Sequence, residues 1–261
     1  MPTLPTATSY LEWAAGFVGD SVALYKTSDA GATWELVNPL MQTPEGRSVG
    51  AIVPGATPDV LYGARLEINS LASVIFSVPG QPCVSTDGGK TWRFAAPLDG
   101  EFFGLRIVPS PTDPRVVYGY KPGSKAVYRS SDQGASWTPF LSMQPRESIV
   151  DIAVDRIDPS TVYVRTSVRS VVTSDGGATW KDMAPVPADP NVSNFLVADP
   201  LTAGRVYAVY RNGAVSESRD RAATWRAVIP TSGTLLDGLT LSTDGQRRYS
   251  WERTRAARRG R

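Results

Sequence analysis

The chain has 261 residues, with 27 Lys and Arg against 25 Asp and Glu, no histidine and a single cysteine. That length suits one all-β domain with room for a sizeable core. Without histidine there is no histidine triad, no His-ligated zinc and no imidazole acid–base chemistry, and one cysteine permits neither an intrachain disulfide nor a cysteine metal cluster. No metal site and no cofactor is expected, and no segment approaches the length of a membrane span.

Read from the amino end, no charged start followed by an apolar stretch stands at Met1, so no secretory leader is read there. The first expected strand is Tyr10–Phe17, followed by the octapeptide TSDAGATW (Thr27 to Trp34) and an exit strand Trp34–Val37. A new pattern then begins: a strand Ser48–Val53, the turn PGATPD, and a second strand Val60–Ala64. A long segment, Leu66–Pro82, leads to STDGGKTW (Ser85 to Trp92) and the exit Trp92–Ala95. Its apolar run Leu71–Phe76 reads as an extension of the third strand with a packed loop. The pattern repeats with Phe102–Val108, the turn PSPTDPR, Val116–Tyr120 and SSDQGASW (Ser130 to Trp137). It repeats again with Ile149–Val154, DRIDPS, Thr161–Arg165, TSDGGATW (Thr173 to Trp180) and Trp180–Met183. The last full copy has Asn194–Val197, ADPLTAGR, Arg205–Tyr210 and SRDRAATW (Ser218 to Trp225); strands Leu236–Leu241 and Arg247–Trp251 follow. These runs are short, rich in β-branched and aromatic residues, and bounded by turn formers.

The octapeptide is the informative element. Its Asp residues, Asp29, Asp87, Asp132, Asp175 and Asp220, are separated by 58, 45, 43 and 45 residues. A period near 45 with a fixed aromatic signature marks a radial repeat with one four-stranded antiparallel blade per copy. In each copy the Asp can accept backbone amides of its own turn, the Gly can take positive φ, and the Thr or Ser re-enters a strand. The five Trp residues, Trp34, Trp92, Trp137, Trp180 and Trp225, are expected to be largely buried between blades. In the fifth copy Ala222 stands where the others have Gly, which predicts a distorted hairpin.

This element resembles the Asp-box, or BNR, repeat of sialidases, xyloglucan-active glucanases, sortilin-type receptors and photosystem II assembly factors. The resemblance spans about residues 8 to 251 and implies a β-propeller. Five blades are expected, with Leu236–Leu241 closing the ring beside Tyr10–Val37; the extra strand Arg247–Trp251 leaves six blades possible. Residues 1–252 form the propeller, and 253–261 an Arg-rich tail expected to be disordered. Residues 247–261 carry seven Arg and one Glu, so the remainder of the chain is net negative by four. A monomer is expected. Most relatives of this kind act outside the cytoplasm, which favours a secreted or periplasmic location despite the missing leader.

Strands alternate in direction, so the boxes share one rim with the turns between first and second strands, and the remaining loops form the opposite rim. In the resembling enzymes the active site lies on that opposite rim, so the five box Asp residues are structural. There Arg65, Lys121, Lys125, Arg165, Arg169 and Arg211 follow the second strands, opposed only by Glu67. Such a ring would attract an anionic ligand, a glycan or an acidic protein; nucleic acid is not an expected partner. A glycosidase needs two facing carboxylates. The candidates are Asp151, Glu101 and Glu147, with Asp99 and Asp237 behind them, and Tyr120 or Tyr210 as the tyrosine of a sialidase-like pair. The Phe/Tyr-Arg-Ile-Pro element of sialidases is absent, and nothing matches the catalytic elements of the xyloglucan-active enzymes. The reading is therefore a binding or assembly module; a sialidase-like hydrolase and a fragment of a larger propeller are the alternatives. Cys83, two residues ahead of a box on a strand, is expected to be a buried apolar thiol.

Overall fold

The computed structural model describes residues 12–18, 21–29, 32–39, 48–69, 74–76, 81–98, 104–186, 194–210, 212–230, 236–241 and 248–252. All regular structure among them is β. The first sheet holds β1 (Glu12–Val18), β2 (Ser21–Thr27) and β3 (Glu35–Asn38) in that order. The second runs β4 (Ser48–Pro54), β5 (Leu61–Asn69), then β7 (Pro82–Ser85) and β8 (Arg93–Phe94), with β6 (Val74–Phe76) pairing on the far end of β5. The third holds β9 (Arg106–Pro109), β10 (Val117–Tyr120), β11 (Ala126–Ser130) and β12 (Thr138–Ser142). The fourth holds β13 (Ile149–Val154), β14 (Val162–Thr166), β15 (Ser170–Thr173) and β16 (Lys181–Asp182). The fifth holds β17 (Asn194–Ala198), β18 (Val206–Tyr210), β19 (Val215–Ser218) and β20 (Arg226–Ile229). Last comes the pair β21 (Leu236–Leu241) and β22 (Arg248–Glu252).

Every ladder described is antiparallel between strands consecutive in the repeat, as in β17–β18 with Leu196 opposite Ala208 and β18–β19 with Ala208 opposite Ser216. The long segment before the second box continues the third strand's ladder on β5: Ala64 pairs with Pro82, and further out Glu67 pairs with Phe76. The expected closing strand, β21, pairs with β22 (Leu239 opposite Ser250), while β1, β2 and β3 pair among themselves. Closure through Tyr10–Val37 is thus not among the described ladders, and the tail 253–261 lies outside the described residues.

Composition explains the gradient across each sheet. Second strands are continuously apolar (VYGY, VYVRT, VYAVY) and buried on nearly every residue, because a blade's middle strands are covered on both faces. Outer strands are polar and exposed, as in β16 with Lys181 and Asp182. Tyr62, Tyr118, Tyr163 and Tyr207 occupy the equivalent place in successive second strands, and each is at least 95% buried. Two compact units are distinguished, Met1–Lys121 with Val127–Pro139, and Pro122–Ala126 with Phe140–Arg261. In the first, Leu24, Val49, Leu61, Cys83 and Trp92 form a buried cluster. In the second, Tyr163, Val172 and Met183 pack with Leu196, Ala208, Tyr210 and Ala222. Cys83 is buried, and burial pushes its thiol well above the usual range.

The four box hairpins whose turn residues are described are tight turns with two successive residues at positive φ, the pattern of a type I′ connection. In the third box these are Gln133 (58°) and Gly134 (79°), and Ala135 N–H donates to the Asp132 carbonyl at 3.3 Å. The fifth box is not distorted. Ala222 takes φ 64° and Arg221 56°, and Ala223 N–H closes the same turn on the Asp220 carbonyl at 3.3 Å. Ala222 is fully buried in the cluster that holds Tyr163, Val172 and Met183, and its carbonyl accepts the Ala184 N–H at 2.9 Å. The other boxes vary in how strictly they require glycine. A Cβ on Gly177 would stand 2.5 Å from Phe140 Cε2, whereas one on Gly134 would meet Tyr62 Cε1 at 3.5 Å, ordinary contact. Gly134→Ala should therefore cost only the left-handed backbone penalty, about 1–2 kcal/mol. Gly177→Ala should cost about 3 kcal/mol or more, because Phe140 must also leave its edge-on contact with Trp180. Urea unfolding of both variants tests the order; equal losses would contradict the steric account.

Candidate functional site

The rim that carries the boxes is held by one hydrogen-bond pattern repeated five times. In the second box Ser85 Oγ and Thr91 N–H donate to Asp87 Oδ1 at 2.7 and 2.9 Å, and Thr91 Oγ1 donates to Oδ2 at 2.6 Å. The same three bonds recur at Asp29, Asp132, Asp175 and Asp220, with lengths of 2.5–2.9 Å. The hydroxyl at the first position also accepts an amide, from Gly89, Gly134, Gly177 and Ala222 at 2.8–2.9 Å. In the second to fifth boxes the hairpin is docked on the turn between the first two strands of its own sheet. Gly88, Gln133, Gly176 and Arg221 donate their N–H to the carbonyls of Asp59, Arg115, Ser160 and Gly204. Each of these Asp side chains accepts three hydrogen bonds from its own hairpin, two on Oδ1 and one on Oδ2.

The five Trp residues are not alike: Trp92 meets the expected burial and Trp34 departs from it. Trp92 is 3% exposed, Trp137, Trp180 and Trp225 are half-buried, and Trp34 is 45% exposed. A type I′ hairpin at the sheet edge presents the indole to the rim, where burial depends on what the neighbouring sheet supplies. Trp92 Nε1–H bonds the Gly89 carbonyl and Trp137 the Gly134 carbonyl, while Trp225 reaches the Ala184 carbonyl beyond its own hairpin.

On the opposite rim, three loops of the second unit are stitched together. Gly123 N–H donates to the Ile149 carbonyl and Ile149 N–H to the Ser124 carbonyl, at 2.7 and 2.8 Å. Ser167 N–H donates to the Ser148 carbonyl at 2.8 Å, and Ser148 N–H to Ser167 Oγ at 3.1 Å. Lys125 is exposed on this platform, and Val168 stands 72% exposed at the tip of the β14–β15 turn.

The candidate acids and the candidate cations prove to be each other's partners. Glu147, 5% exposed, receives Arg169 Nε at 3.2 Å and the Thr166 hydroxyl at 2.8 Å. Arg169 also reaches Asp182 Oδ1 at 2.7 Å, and these contacts raise its pKa, Asp182 foremost. Asp151 lies across the β13–β14 ladder from Arg165 and accepts Leu196 N–H at 2.8 Å, tying its sheet to the next. Burial lowers the pKa of Arg165, while Asp151 and Tyr210 act to keep it charged. The expectation that only Glu67 opposes the basic loops is thus corrected: Asp151, Glu147 and Asp182 oppose two of them. The sequence hides this because these acids precede the first strand, sit within it, or lie after the box, far in chain position from the arginines. In the first unit, Arg65 is half-buried with Nη1 3.4 Å from Gln81 Oε1, and Lys121 is half-buried. Tyr120 and Tyr210 are each 2% exposed. Glu101, Arg211 and Asp99 lie outside the described residues.

Sequence reasoning also missed two buried aspartates placed directly after first strands. Asp155 is fully buried and accepts Ile157 and Asp158 N–H within its turn and Gly204 N–H of the following sheet at 2.6 Å. Asp199 does the same for Leu201 and Thr202 and accepts the Tyr207 hydroxyl at 3.2 Å. The signal was present: an Asp at the end of an apolar run, with a Pro close behind.

Comparison with known proteins agrees with this geometry. The family described as BNR/Asp-box repeat matches residues 84–94. A xyloglucanase of a Paenibacillus species is 28% identical over 177 residues, which is 54% of this chain and 17% of that protein. The crystal structure of an ancestral GH74 enzyme superposes with a TM-score of 0.59 at 16% identity, covering 94% of this chain and 34% of that one. YCF48 bound to D1 peptide superposes with a TM-score of 0.53 at 18% identity, covering 90% and 69%. The chain therefore spans only a minor part of the length of the xyloglucanase and of the GH74 enzyme. It is a β-propeller of the BNR, or Asp-box, type, with five box-bearing blades.

The box carboxylates make a pH prediction. Hydrogen bonds from Thr33, chiefly its hydroxyl, hold Asp29 down at about 2, and Thr179 does the same for Asp175. A carboxyl depressed in the folded state stabilises the fold above its unfolded pKa, near ~3.9. That contribution should disappear as pH falls from about 4 through about 2. Carbon-13 titration of the Asp carboxyls should show Asp29 and Asp175 titrating far below a free aspartate, and Thr179→Val should move Asp175 alone upward. Ordinary titration of both would contradict the assignment.

Proposed function

We infer that this propeller is a non-catalytic binding module whose ligand is a polysaccharide of the xyloglucan kind, received by the loops opposite the boxes. One observation carries the reading: the two described candidate acids, Asp151 and Glu147, serve as counter-ions to Arg165 and Arg169. Hydrolysis of a glycoside requires two carboxylates free to face the scissile bond. A carboxylate held by a guanidinium and a backbone amide, or buried under an arginine, serves the fold instead.

The same pairing bears on ligand charge. The expectation of an anionic ligand rests on surplus positive charge after the second strands, and at Arg165 and Arg169 that surplus is balanced in place. A neutral glucan, packing on exposed apolar atoms such as those of Val168 and hydrogen-bonding to loop polar groups, fits such a platform better. Support for the glycan class comes from the likeness to the xyloglucanase, which at 177 residues runs over several repeats rather than one box. A second reading, assembly through a bound peptide, is favoured by the fold shared with the peptide complex of YCF48.

The test is calorimetric titration with xyloglucan oligosaccharides and with a sialylated trisaccharide, alongside an assay for released reducing sugar. Xyloglucan should bind without sugar release, and Val168→Asp with Lys125→Glu should weaken it by roughly tenfold with the fold intact. Sugar release abolished by Asp151→Asn would establish the hydrolase instead. Absence of any glycan binding would leave the assembly reading.

A further inference from the structure

The sheet β17–β20 breaks the pattern of its neighbour at one row. In β15 the residue before the box is Val172, which packs with Tyr163 in the apolar cluster shared with the following sheet. In β19 the equivalent residue is Glu217, flanked across the ladders by Tyr207 and Arg226. Nearer β17 the same sheet face is apolar, with Tyr207, Val209 and Val215 against Phe195 and Val197. Towards β20 it turns ionic.

Three guanidiniums converge on this one carboxylate. Arg205 Nε meets Glu217 Oε1 at 2.6 Å, Arg219 Nε meets Oε2 at 3.2 Å, and Arg226 Nη2 meets Oε2 at 3.1 Å. Glu217 is 3% exposed, whereas the side chains of Arg219 and Arg226 are 66% and 70% exposed. Arg205 also stands 3.5 Å from Asp199 and lies over the Tyr207 ring. Burial opposes the charge on Glu217, but Arg226, Arg219 and Arg205 outweigh it and hold the carboxyl below the usual glutamate range. Asp220, the residue after Arg219, is ionised, its carboxyl pKa lowered chiefly by the Thr224 hydroxyl, with Ser218 also donating to it. Among the described contacts Glu217 and Asp199 face the three guanidiniums, and Asp220 stands beside Arg219 as a third anion. A guanidinium carries five N–H donors, so each exposed arginine is anchored by one edge and keeps donors for solvent.

We propose that Arg219 and Arg226, anchored on Glu217, form a recognition site for the carboxylate of an acidic peptide segment. The anchored forks, each with N–H donors left on its exposed edge, suit a planar oxyanion bound through two parallel N–H groups. Leu201, 57% exposed on the turn between Asp199 and Arg205, offers an aliphatic contact for a neighbouring apolar side chain. Two guanidinium forks beside an exposed aliphatic residue suit a polypeptide that carries a carboxylate next to an apolar side chain. The site lies on β18 to β20 and their turns, so it does not rest on the polysaccharide reading of the opposite rim.

The experiment is fluorescence anisotropy on the full chain with a labelled peptide of alternating Glu and Leu and its Gln counterpart, in low and moderate salt. The Glu peptide should bind, more weakly as salt rises, and the Gln peptide should not. Arg219→Gln with Arg226→Gln should weaken binding by roughly tenfold or more at unchanged thermal stability. If that pair unfolds, Arg226→Lys is read instead; it keeps the charge, loses the fork, and should still weaken binding. Lys125→Glu should leave this binding unchanged. Equal affinity for both peptides, or for wild type and variants, would overturn the proposal. So would binding of oligogalacturonate in place of the peptide, which would assign the arginines to a glycan.

Discussion

The box-bearing sheets depend on a carboxylate that closes a seven-residue span with three hydrogen bonds. The box Asp joins the hydroxyl two residues before it to the amide and hydroxyl four residues after it, and so sets where the third strand ends and the fourth begins. The first hydroxyl, nearly fully buried in all five copies, accepts the amide of the residue at positive φ in the four copies where that bond is described. These are local bonds of short loop closure, so each hairpin can form before any sheet meets its neighbour. The backbone bond from the hairpin to the turn between the first two strands then fixes the hairpin on its own sheet.

Packing between sheets uses a different set of residues. Second strands bury both faces, so their tyrosines span the gap with the hydroxyl near the rim, as Tyr62 does in reaching the Pro114 carbonyl at 3.2 Å. Buried aspartates after the first strands add a polar bond across the gap, Asp155 to Gly204 N–H, where an apolar side chain would leave that amide unpaired. The box residue at the second positive φ is glycine where a Cβ would clash, with Leu24 at Gly89 and with Phe140 at Gly177. At Gly134 the space would hold a methyl, and in the fifth box Ala222 packs with Tyr163 and Met183. The fifth box keeps its full bond set because two residues accept left-handed backbone and the space for a methyl is available.

Charge on the rim opposite the boxes is organised as pairs. Arg165 with Asp151, and Arg169 with Glu147 and Asp182, join first strand, second strand and exit strand of one blade. Partly buried guanidiniums need such counter-ions, because desolvation otherwise acts against their charge. Where acids and bases pair in this way, the charge of each is balanced in place. Around Glu217 the arrangement is different. Three arginines share one buried carboxylate there, and two of the forks stay exposed.

The sequence by itself determined the repeat, the strand order within each blade and the burial of Cys83. These are legible because each depends on short-range spacing: alternating apolar runs, a turn with fixed chemistry, a period near 45. Only the tertiary structure decided which acid opposes which base. Asp151 and Arg165, or Glu147 and Arg169, are 14 and 22 residues apart, and their meeting follows from ladder register, which no local pattern encodes. Tryptophan burial was likewise undecided by the octapeptide. The indole is placed by its own hairpin, but what covers it belongs to the neighbouring sheet, so one identical motif yields Trp92 buried and Trp34 half in solvent.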